Sequence, residues 1–359
     1  MIKNEIKALG LKFDGTILTD NLSKTLYATD ASVYRKIPLA VAIPKTVDDI
    51  QKLINFASDN NIGLIPRAAG TSLAGQCVGD GIVVDVSKHF TQILNLDKSK
   101  KQVTVQPGVI RDDLNKYLEP YGFFFGPNTS TSNRCMIGGM VGNNSSGTTS
   151  IQYGVTRDKV VSMKTVLSDG SKVEFKAISV PDFKKKTTKN TLEGKLYKYL
   201  YKELSKSSIQ NEINKEFPKP QIHRRNTGYA VDELLKSKVF DPAAVDFNLC
   251  KLLSGSEGTL AFTTEITLQL EELPPKHSAM VVTHYSSLED CLSDVEPVMG
   301  HGLHMCEMMD KVILDCTKNN KTQLKNRFFV EGDPAALLML ELKSGSKTGL
   351  QKDLKALLN

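Results

Sequence analysis

The segment Pro66–Gln76, PRAAGTSLAGQ, combines small residues, glycines and hydroxyl side chains directly after the apolar run IGLI. Small residues let a backbone approach a ligand closely, and glycine also adopts conformations that other residues avoid. Successive backbone N–H groups in such a turn can form a concave site for an anion. The segment therefore predicts a phosphate-binding loop, and an ordinary turn after a strand is the alternative that these residues leave open.

A second segment of similar chemistry runs from Phe123 to Gly154, FFFGPNTSTSNRCMIGGMVGNNSSGTTSIQYG. Segments of this length without secondary structure are uncommon in compact domains and are usually functional or disordered. Its glycines, hydroxyl groups and the pair Asn143 and Asn144 differ from the charged composition that is typical of disorder. We interpret it as a second loop that wraps a ligand.

Length and composition limit the class of protein. The chain of 359 residues is longer than a single domain usually is, so we expect two or three domains. Apolar residues make up 40% of the chain and charged residues 24%, which is the balance of a soluble globular protein. No apolar run approaches the ~20 residues that cross a bilayer. The six cysteines are scattered without a C-x-x-C pair, which favours a reducing, cytoplasmic setting.

The net charge of +6 has a local source, because lysines crowd the segment Lys172–Lys219. A basic surface of this kind attracts anionic substrates or lipid headgroups. Acidic residues are interspersed among the lysines, so we favour a solvated helix face. The chain has no zinc-finger spacing and no aromatic-rich basic motif, and a nucleic-acid partner is not predicted.

Hydrophobic patterns predict the elements that position the two segments. From Leu39 onward, the strand LAVAIP, a helix with Thr46 as its N-cap and the strand IGLIP form a β-α-β unit. The first segment lies at the carboxyl end of its strand, where α/β folds bind ligands. Asp169-Gly170 marks a hairpin turn, and LCKLLSGSEGTLAFTTEITLQL is interpreted as two strands around a glycine turn. After Pro274-Pro275 a new pattern begins, with strands AMVVTHY and AALLMLEL and helices between and after them.

Five stretches, in order, resemble the FAD-binding domain of the vanillyl-alcohol oxidase and para-cresol methylhydroxylase (PCMH) superfamily. They are PRAAGTSLAGQ, FGPNTSTSNR, IGGMVGNNSSG, RRNTGYAVDELL and GSEGTLAFTTEITL. The branch they resemble contains the D-lactate, glycolate and D-2-hydroxyglutarate dehydrogenases. The resemblance implies an α+β fold, with a two-subdomain PCMH-type FAD-binding domain at residues 1–273, divided at about residue 98, and an incomplete α/β cap domain at 274–359. A Rossmann NAD site is rejected, because no G-x-G-x-x-G follows a strand and opens a helix.

The resemblance also implies which residues contact FAD. In the family the first segment holds the pyrophosphate, although the family usually has glycines where Ala68 and Ala69 stand. Thr71 occupies the place of the histidine that links FAD covalently in some relatives, so non-covalent binding is expected, and Cys135 is interpreted as a buried structural thiol. The implied cofactor-binding residues are Arg67, Ala68, Ala69, Gly70, Thr71, Ser72, Gln76, Pro127, Thr129, Ser130, Gly138, Gly139, Asn143, Gly147, Glu257, Gly258 and Leu260.

The predicted function is FAD-dependent oxidation of a D-2-hydroxy acid, such as D-lactate or a glycolate-like acid, by hydride transfer to the flavin. Two alternatives stay open: a non-catalytic FAD-binding subunit of an electron-transfer complex, and a sugar or alcohol oxidase on the same fold. The H-x-G-D-G-N-x-H motif of the resembling enzymes is absent, and Arg225 and Asn226 are the only candidates for a catalytic role. Because the family continues past Asn359, we expect a truncated chain with negligible turnover by itself.

The expected partners are a small 2-hydroxy acid and an unidentified electron acceptor: a quinone, a cytochrome or an iron–sulfur region. The expected location is the cytoplasm, with peripheral association with the inner membrane as an option. His301, His304 and Glu307 follow at steps of three, so that on a helix they would share one face near Cys306. Gly302 weakens such a helix, and Glu307 matches an ordinary cap segment of the family, so no metal site is predicted.

Overall fold

Strands and helices alternate through most of the chain. The computed structural model describes residues 2–219, 221–222, 224–225 and 228–359. The strands are β1 (Thr16–Leu18), β2 (Ala40–Ile43), β3 (Leu64–Arg67), β4 (Ile82–Asp85), β5 (Ile93–Asp97), β6 (Gln102–Val105), β7 (Phe123–Phe124), β8 (Val160–Val166), β9 (Lys172–Lys176), β10 (Phe262–Gln269), β11 (Glu271–Glu272), β12 (His277–Tyr285), β13 (Met305–Asp310) and β14 (Ala336–Ser344). The helices are α1 (Ile2–Gly10), α2 (Asn21–Leu26), α3 (Val47–Asp59), α4 (Arg111–Leu118), α5 (Ile137–Asn143), α6 (Ser150–Tyr153), α7 (Thr156–Lys159), α8 (Val180–Thr187), α9 (Leu192–Leu204), α10 (Ser207–Glu216), α11 (Val231–Leu235), α12 (Cys250–Leu253), α13 (Leu288–Ser293), α14 (Val295–Met299), α15 (Lys311–Lys318), α16 (Lys321–Leu324) and α17 (Lys347–Leu358).

The chain divides into two compact units. The first consists of Met1–Phe125, Thr129–Ser145 and Val155–Glu271. The second consists of Gly126–Asn128, Ser146–Gly154 and Glu272–Asn359. The domain boundaries expected from the sequence, near residues 98 and 273, stay predictions.

A four-stranded sheet in the first unit has the order β1-β2-β4-β3, and its last three strands run parallel. The central strands β2 (AVAI) and β4 (IVVD) are buried along their whole length. Continuous apolar runs are typical of parallel strands that are covered on both faces. The predicted β-α-β unit is confirmed, and β3 ends at Arg67, directly before the segment that suggested a phosphate site.

Helix α3 begins at the predicted N-cap. The Thr46 hydroxyl accepts a hydrogen bond from the Asp49 N–H at 3.2 Å, and the Asp49 carboxylate accepts one from the Thr46 N–H at 3.3 Å, which is a capping box. The fully buried Asp49 carboxylate also accepts hydrogen bonds at 2.9 to 3.0 Å from the backbone N–H groups of Asp14, Gly15 and Lys45. One side chain therefore fixes both the start of the helix and the turn that leads into β1.

A second sheet in the same unit is antiparallel, in the order β5-β6-β10-β8-β9. Its central strand β10 alternates between buried and half-buried residues, as expected for a sheet with one face on the core. Edge-to-face aromatic pairs extend this core: the Phe183 ring lies 4.7 Å from that of Phe247 and 5.3 Å from that of Tyr197. The predicted β8–β9 hairpin is confirmed, with Gly170 at a φ of +77° in its turn.

The second unit contains a three-stranded antiparallel sheet in the order β12-β14-β13. Leu338, Leu340 and Leu342 alternate along β14 and pack with Cys291 of α13 in one apolar cluster. The strands predicted from AMVVTHY and AALLMLEL and the final helix are confirmed.

Two elements differ from the sequence-based interpretation. Helix α5 lies inside the segment interpreted as a loop, and its buried residues Ile137, Met140 and Val141 have helical spacing. The glycines between them hide that pattern, because glycine is a poor helix former. Residues interpreted as a strand form α12, whose buried positions Cys250 and Leu253 are three apart. A short apolar run cannot be assigned to helix or strand by periodicity alone.

The histidines near residue 300 do not share a helix face. Gly302 has a φ of +65°, and Glu307 lies on β13. The His304 ring packs at 5.3 Å against Tyr153 in the same unit. Within the described ranges, no group of three or more His, Cys, Asp or Glu side chains is placed to hold a metal ion.

Candidate cofactor site

Loop A, residues Ala68–Gln76, leaves the carboxyl end of β3 and turns at Gly70. Gly70 has a φ of +64°, and its carbonyl accepts a hydrogen bond from the Ala31 N–H at 3.1 Å. Ala68 and Ala69 are not among the described residues with positive φ. Both left-handed positions of the loop, Gly70 and Gly75, therefore fall on glycines, and the two alanines fit without backbone strain.

Loop A presents a run of backbone donors. In the part of the chain that the structure describes, the N–H groups of Ala69, Gly70, Thr71 and Ser72 donate no hydrogen bond to another backbone group. These residues are half-buried. Unpaired N–H groups in such a place need water or a ligand as acceptor, and consecutive N–H groups in a turn suit phosphate oxygens. Loop A therefore has the free donors that a phosphate site needs, and its binding of the FAD pyrophosphate stays a prediction.

Helix α5 and loop B, residues Ser254–Leu260, converge with loop A. A Cβ added to Gly139 would lie 3.7 Å from the Cβ of Ala68, so this helix faces the start of loop A. At the other end of α5, the Gly255 N–H donates to the Val141 carbonyl and the Glu257 N–H to the Gly142 carbonyl, each at 2.9 Å. Three segments far apart in sequence thus come together within the first unit.

A buried arginine holds loop B in place. Arg157 is only 5% exposed, and its Nη2 donates to the Ser254 carbonyl at 2.7 Å while its Nε donates to the Lys251 carbonyl at 2.9 Å. Its backbone N–H donates to Asn144 Oδ1 at 2.8 Å. Burial lowers the pKa of the guanidinium. A Cβ at Gly255, whose φ is +88°, would lie 2.7 Å from Arg157 Nη2, so this position requires glycine.

Glu257 is a non-glycine residue in the left-handed region, with a φ of +53°. Its Oε1 accepts a hydrogen bond from Asn143 Nδ2 at 3.2 Å, and the Gln76 amide also interacts with its carboxyl group. Burial raises the pKa of Glu257, and the two amides offset only part of that effect. Such backbone conformations are uncommon outside glycine and persist where the surrounding structure fixes them. The side chains of three predicted cofactor residues are therefore in one group.

A cleft of about 380 Å³ opens beside loop A, and sequence reasoning did not find most of its polar residues. The Tyr27 hydroxyl donates to Asp85 Oδ2 at 2.6 Å, and the Arg67 guanidinium lies 5.2 Å from the centre of the Tyr27 ring. Burial and the bond to Asp85 raise the pKa of Tyr27, which keeps it neutral. The sequence does contain one indication of this cleft, since the apolar strand in GIVVD ends in the acidic residue Asp85. The cleft is lined by Leu26, Tyr27, Arg67, Ala68, Ala69, Asp85, Ser87, Ile110, Arg134 and Met136.

The remaining predicted cofactor residues differ in their burial and contacts. Thr129 Oγ1 lies 3.2 Å from the Sγ of Cys135, which is buried in the core as expected for a structural thiol. Ser130 and Leu260 are exposed. Gly138 packs so closely on Pro107 that a Cβ would lie 2.5 Å from it, and Gly258, at a φ of +72°, adjoins Pro66. The remaining two predicted residues belong to the second unit, Pro127 and Gly147.

Of the two residues suggested for a catalytic role, Arg225 and Asn226, the structure describes only Arg225. The guanidinium of Arg225 forms ion pairs with Asp232 and, at 2.6 Å, with Glu233, and these carboxylates balance its charge. Asn226 lies outside the described residues. Nearby, the half-exposed Tyr229 hydroxyl lies 2.6 Å from Thr259 Oγ1 in loop B. A substrate role for Arg225 or Asn226 stays a prediction.

Comparison with known proteins decides which phosphate-containing group this site takes. Residues 38–176 match the family described as "FAD binding domain". They are an FAD-binding domain. The chain is 34% identical over 312 residues to the D-2-hydroxyglutarate dehydrogenase of Haemophilus influenzae, covering 86% of this chain and 30% of that protein. The chain is also 32% identical over 311 residues to the D-2-hydroxyglutarate dehydrogenase of Escherichia coli, and the match covers the same shares of the two proteins. The FAD-binding chain thus spans about 30% of the length of these relatives.

A cytochrome-linked relative and solved structures extend the comparison. Mitochondrial D-lactate dehydrogenase [cytochrome] 1 of Saccharomyces cerevisiae is 27% identical over 81% of this chain and 40% of that protein. The structure of p-cresol methylhydroxylase with substrate bound has a TM-score of 0.67 at 12% identity, covering 99% of this chain and 63% of the other. The structure of an alkyldihydroxyacetonephosphate synthase has a TM-score of 0.62 at 15% identity, and the match covers 95% of this chain and 56% of the other. These structures show the fold alone, and they confirm the α+β, PCMH-type architecture. The resemblance stated from the sequence is confirmed by the family match and the dehydrogenase relatives.

The residues present fit FAD. The unpaired N–H groups of loop A suit its pyrophosphate. Gln76 Oε1 is buried and accepts no hydrogen bond from the described residues, so it has capacity for a further partner. Position 71 is threonine, which offers no covalent flavin link of the histidine kind, and covalent attachment of FAD is not indicated. When bound, FAD supplies the hydride acceptor, and the chain supplies its orientation and electrostatic surroundings.

We expect Gly255→Ala to destabilise the FAD-binding domain. The added Cβ would meet Arg157 Nη2, and alanine disfavours the φ of +88°. The free energy of unfolding should fall by about 2 kcal/mol or more. Gly63→Ala is the matched control, because a Cβ there meets nothing within 4 Å and the φ is not in the left-handed region. Urea denaturation measures both changes, and equal stability of the two variants would contradict the role assigned to Arg157.

Proposed function

We propose that this chain is the cofactor-binding part of an FAD-dependent oxidoreductase that oxidises a D-2-hydroxy acid by hydride transfer to the flavin. The observation that carries the proposal is the convergence of loop A, α5 and loop B, which fits FAD, in a chain that is 32 to 34% identical to D-2-hydroxyglutarate dehydrogenases over 86% of its length. The substrate class comes from the names of those relatives and extends to this chain as part of the proposal.

The substrate proposal is tested on the native protein, isolated from its source with bound flavin. Anaerobic addition of D-2-hydroxyglutarate or D-lactate should bleach the oxidised flavin band, because hydride transfer reduces the flavin, and the L-enantiomers should leave it unchanged. Absorbance spectroscopy measures the loss. A flavin that no hydroxy acid reduces would favour a non-catalytic FAD-binding subunit, and reduction by sugars or simple alcohols alone would favour an oxidase of that class.

We expect Gly139→Leu to weaken FAD binding without unfolding the domain. Gly139 is exposed on α5, and a Cβ added there would lie 3.7 Å from that of Ala68, so a leucine would occupy space between the helix and loop A. The FAD dissociation constant should rise at least about tenfold, which corresponds to about 1.4 kcal/mol. Quenching of flavin fluorescence during titration of apoprotein measures the change. Gly10→Leu is the control, since a Cβ there has no neighbour within 4 Å; equal FAD affinity of the two variants would contradict this placement of the cofactor.

The electron acceptor is proposed to be an external carrier: a quinone, a cytochrome or an iron–sulfur region. The name of the yeast relative, a cytochrome-linked D-lactate dehydrogenase, supports this class of acceptor. We propose a cytoplasmic location with peripheral attachment to the inner membrane. No described helix has the length and apolar character to cross a bilayer.

A basic face supports peripheral attachment. Lys195, Lys198 and Lys202 are spaced along one exposed side of α9, and Tyr199 between them is 64% exposed. Lys184 and Lys185 of α8 are exposed as well. These lysines form no ion pair within the described part of the chain. Each lysine near an anionic bilayer contributes about 1 kcal/mol.

We expect the protein to co-sediment with vesicles that contain phosphatidylserine and not with pure phosphatidylcholine vesicles. Replacing Lys195, Lys198 and Lys202 by alanine should reduce vesicle binding at least about tenfold. Added salt should also weaken the binding of the wild-type protein to these vesicles, because it screens the attraction between lysines and lipid headgroups. The control replaces three exposed lysines of another helix, Lys347, Lys352 and Lys355 of α17. Equal loss in both triple variants would show that net charge alone matters and that α9 is a solvated face.

A further inference from the structure

Arg67, the last residue of β3, places its side chain against the turn of loop A. Its Nη1 donates a hydrogen bond to the Thr29 carbonyl at 2.7 Å. A Cβ added to Gly70 would lie 2.6 Å from Nη2, 2.9 Å from Cζ and 3.0 Å from Nε of Arg67. A position in the guanidinium plane, beyond the edge that these nitrogens form, would be farther from Cζ than from either of them. The added atom would therefore lie over the face of the guanidinium, and this face packs against the left-handed turn at Gly70.

Tyr27 holds that guanidinium in place. The Arg67 Cζ lies 5.2 Å from the centre of the Tyr27 ring, which is within the range of a cation–π contact. The Tyr27 hydroxyl donates to Asp85 Oδ2 at 2.6 Å, and Asp85 Oδ1 accepts a hydrogen bond from the Ser87 N–H at 2.7 Å. Asp85 is only 6% exposed and is the register partner of Arg67 in the parallel pair of β3 and β4. The ring is thus bonded to the same sheet that carries Arg67.

The segment that carries Tyr27 contacts loop A at two further places. The Ala31 N–H donates to the Gly70 carbonyl at 3.1 Å. A Cβ added to Gly75 would lie 2.8 Å from Cδ2 of Tyr34, so this ring packs closely on the second left-handed glycine of the loop. One neighbouring segment therefore supports loop A at both of its left-handed positions.

The conformation of loop A determines how well it can bind a phosphate. Consecutive N–H groups bind an anion together only when they point to the same place. An arginine beside such a loop can act by its charge, through a direct bond to the phosphate, or by its planar shape, through the loop. The hydrogen bond of Arg67 to the Thr29 carbonyl and the contact of its face with Gly70 favour the second role.

We propose that Arg67 is a positioning residue whose planar guanidinium, held by the ring of Tyr27, supports the turn at Gly70 and so directs the N–H groups of loop A toward the FAD pyrophosphate. The cation does not itself bind the phosphate. Lysine cannot replace it, because an ammonium group is a compact charge without a flat surface. This inference rests on FAD binding at loop A.

Two substitutions at position 67 separate charge from shape. Arg67→Lys keeps the charge and loses the planar group, and Arg67→Ala loses both. We expect each variant to raise the FAD dissociation constant at least about tenfold. Each should also keep the wild-type dependence of that constant on salt concentration, because no ionic contact with the phosphate is lost. Quenching of flavin fluorescence during titration of the apoprotein measures these constants.

Two substitutions of Tyr27 separate positioning from folding. Tyr27→Phe keeps the ring and leaves Asp85 Oδ2 without its donor, so the apoprotein should melt at a lower temperature. Its FAD dissociation constant should stay within about threefold of the wild-type value. Tyr27→Leu removes the ring and should weaken FAD binding at least about tenfold, with no further loss when Arg67→Ala is added, because the two side chains act as a unit. Tyr117→Leu, at an exposed tyrosine of α4, is the control and should leave FAD affinity unchanged.

Three results would overturn the inference. FAD affinity of Arg67→Lys within about threefold of the wild type, with Arg67→Ala much weaker, would assign Arg67 to the phosphate as a charge. Additive losses in Tyr27→Leu and Arg67→Ala would show that the two side chains act independently, and the two variants of Arg67 decide the question if Tyr27→Leu does not fold. Failure of the wild-type chain to bind FAD would overturn the cofactor assignment and this inference with it, and the absence of any binding distinguishes that result from the first two.

Discussion

The hydrogen bonds from Arg157 to the Ser254 and Lys251 carbonyls determine where loop B lies, and the cofactor site depends on that position. A buried guanidinium is costly unless its donors are paired, and among the described residues the backbone carbonyls of Lys251 and Ser254 accept its hydrogen bonds. The arrangement requires a residue without a side chain at Gly255. Because loop B then pairs with the end of α5, one buried cation fixes the position of two of the three segments that form the proposed FAD site.

Loop A, the third segment of the site, is positioned by the β-α-β unit. Loop A begins where the parallel strand β3 ends, and β3 is held beside β4 in the buried sheet. The Asp49 carboxylate joins the turn before β1 to the start of α3, which helps to fix the β-α-β unit that carries loop A. The left-handed residue Gly70 then exposes consecutive N–H groups. Recognition of a phosphate by backbone donors needs this rigidity, since such donors cannot move independently of the fold.

Much of this could be predicted from the sequence, because the signals are local. The capping box at Thr46, the apolar strands and the glycine at position 70 each lie within a few residues of the feature they determine. The parts that could not be predicted depend on tertiary contacts. Helix α5 forms in spite of its glycines because Ile137, Met140 and Val141 are buried. The contact of Tyr27 with Asp85 joins residues 58 positions apart, which no local pattern shows.

The difference between local signals and tertiary contacts also explains why the sequence predicts the cofactor more readily than the substrate. The proposed FAD site consists largely of backbone groups and glycines in contiguous loops, and contiguous loops leave a recognisable pattern in a single sequence. A hydroxy acid must be bound by cations and a base whose side chains converge from separate elements. Arg225, the one described cation that the sequence offered for this role, has its charge balanced by Asp232 and Glu233. The chemistry of the proposed flavin site therefore follows from this chain's own backbone, whereas recognition of the substrate depends on side chains that converge from separate elements.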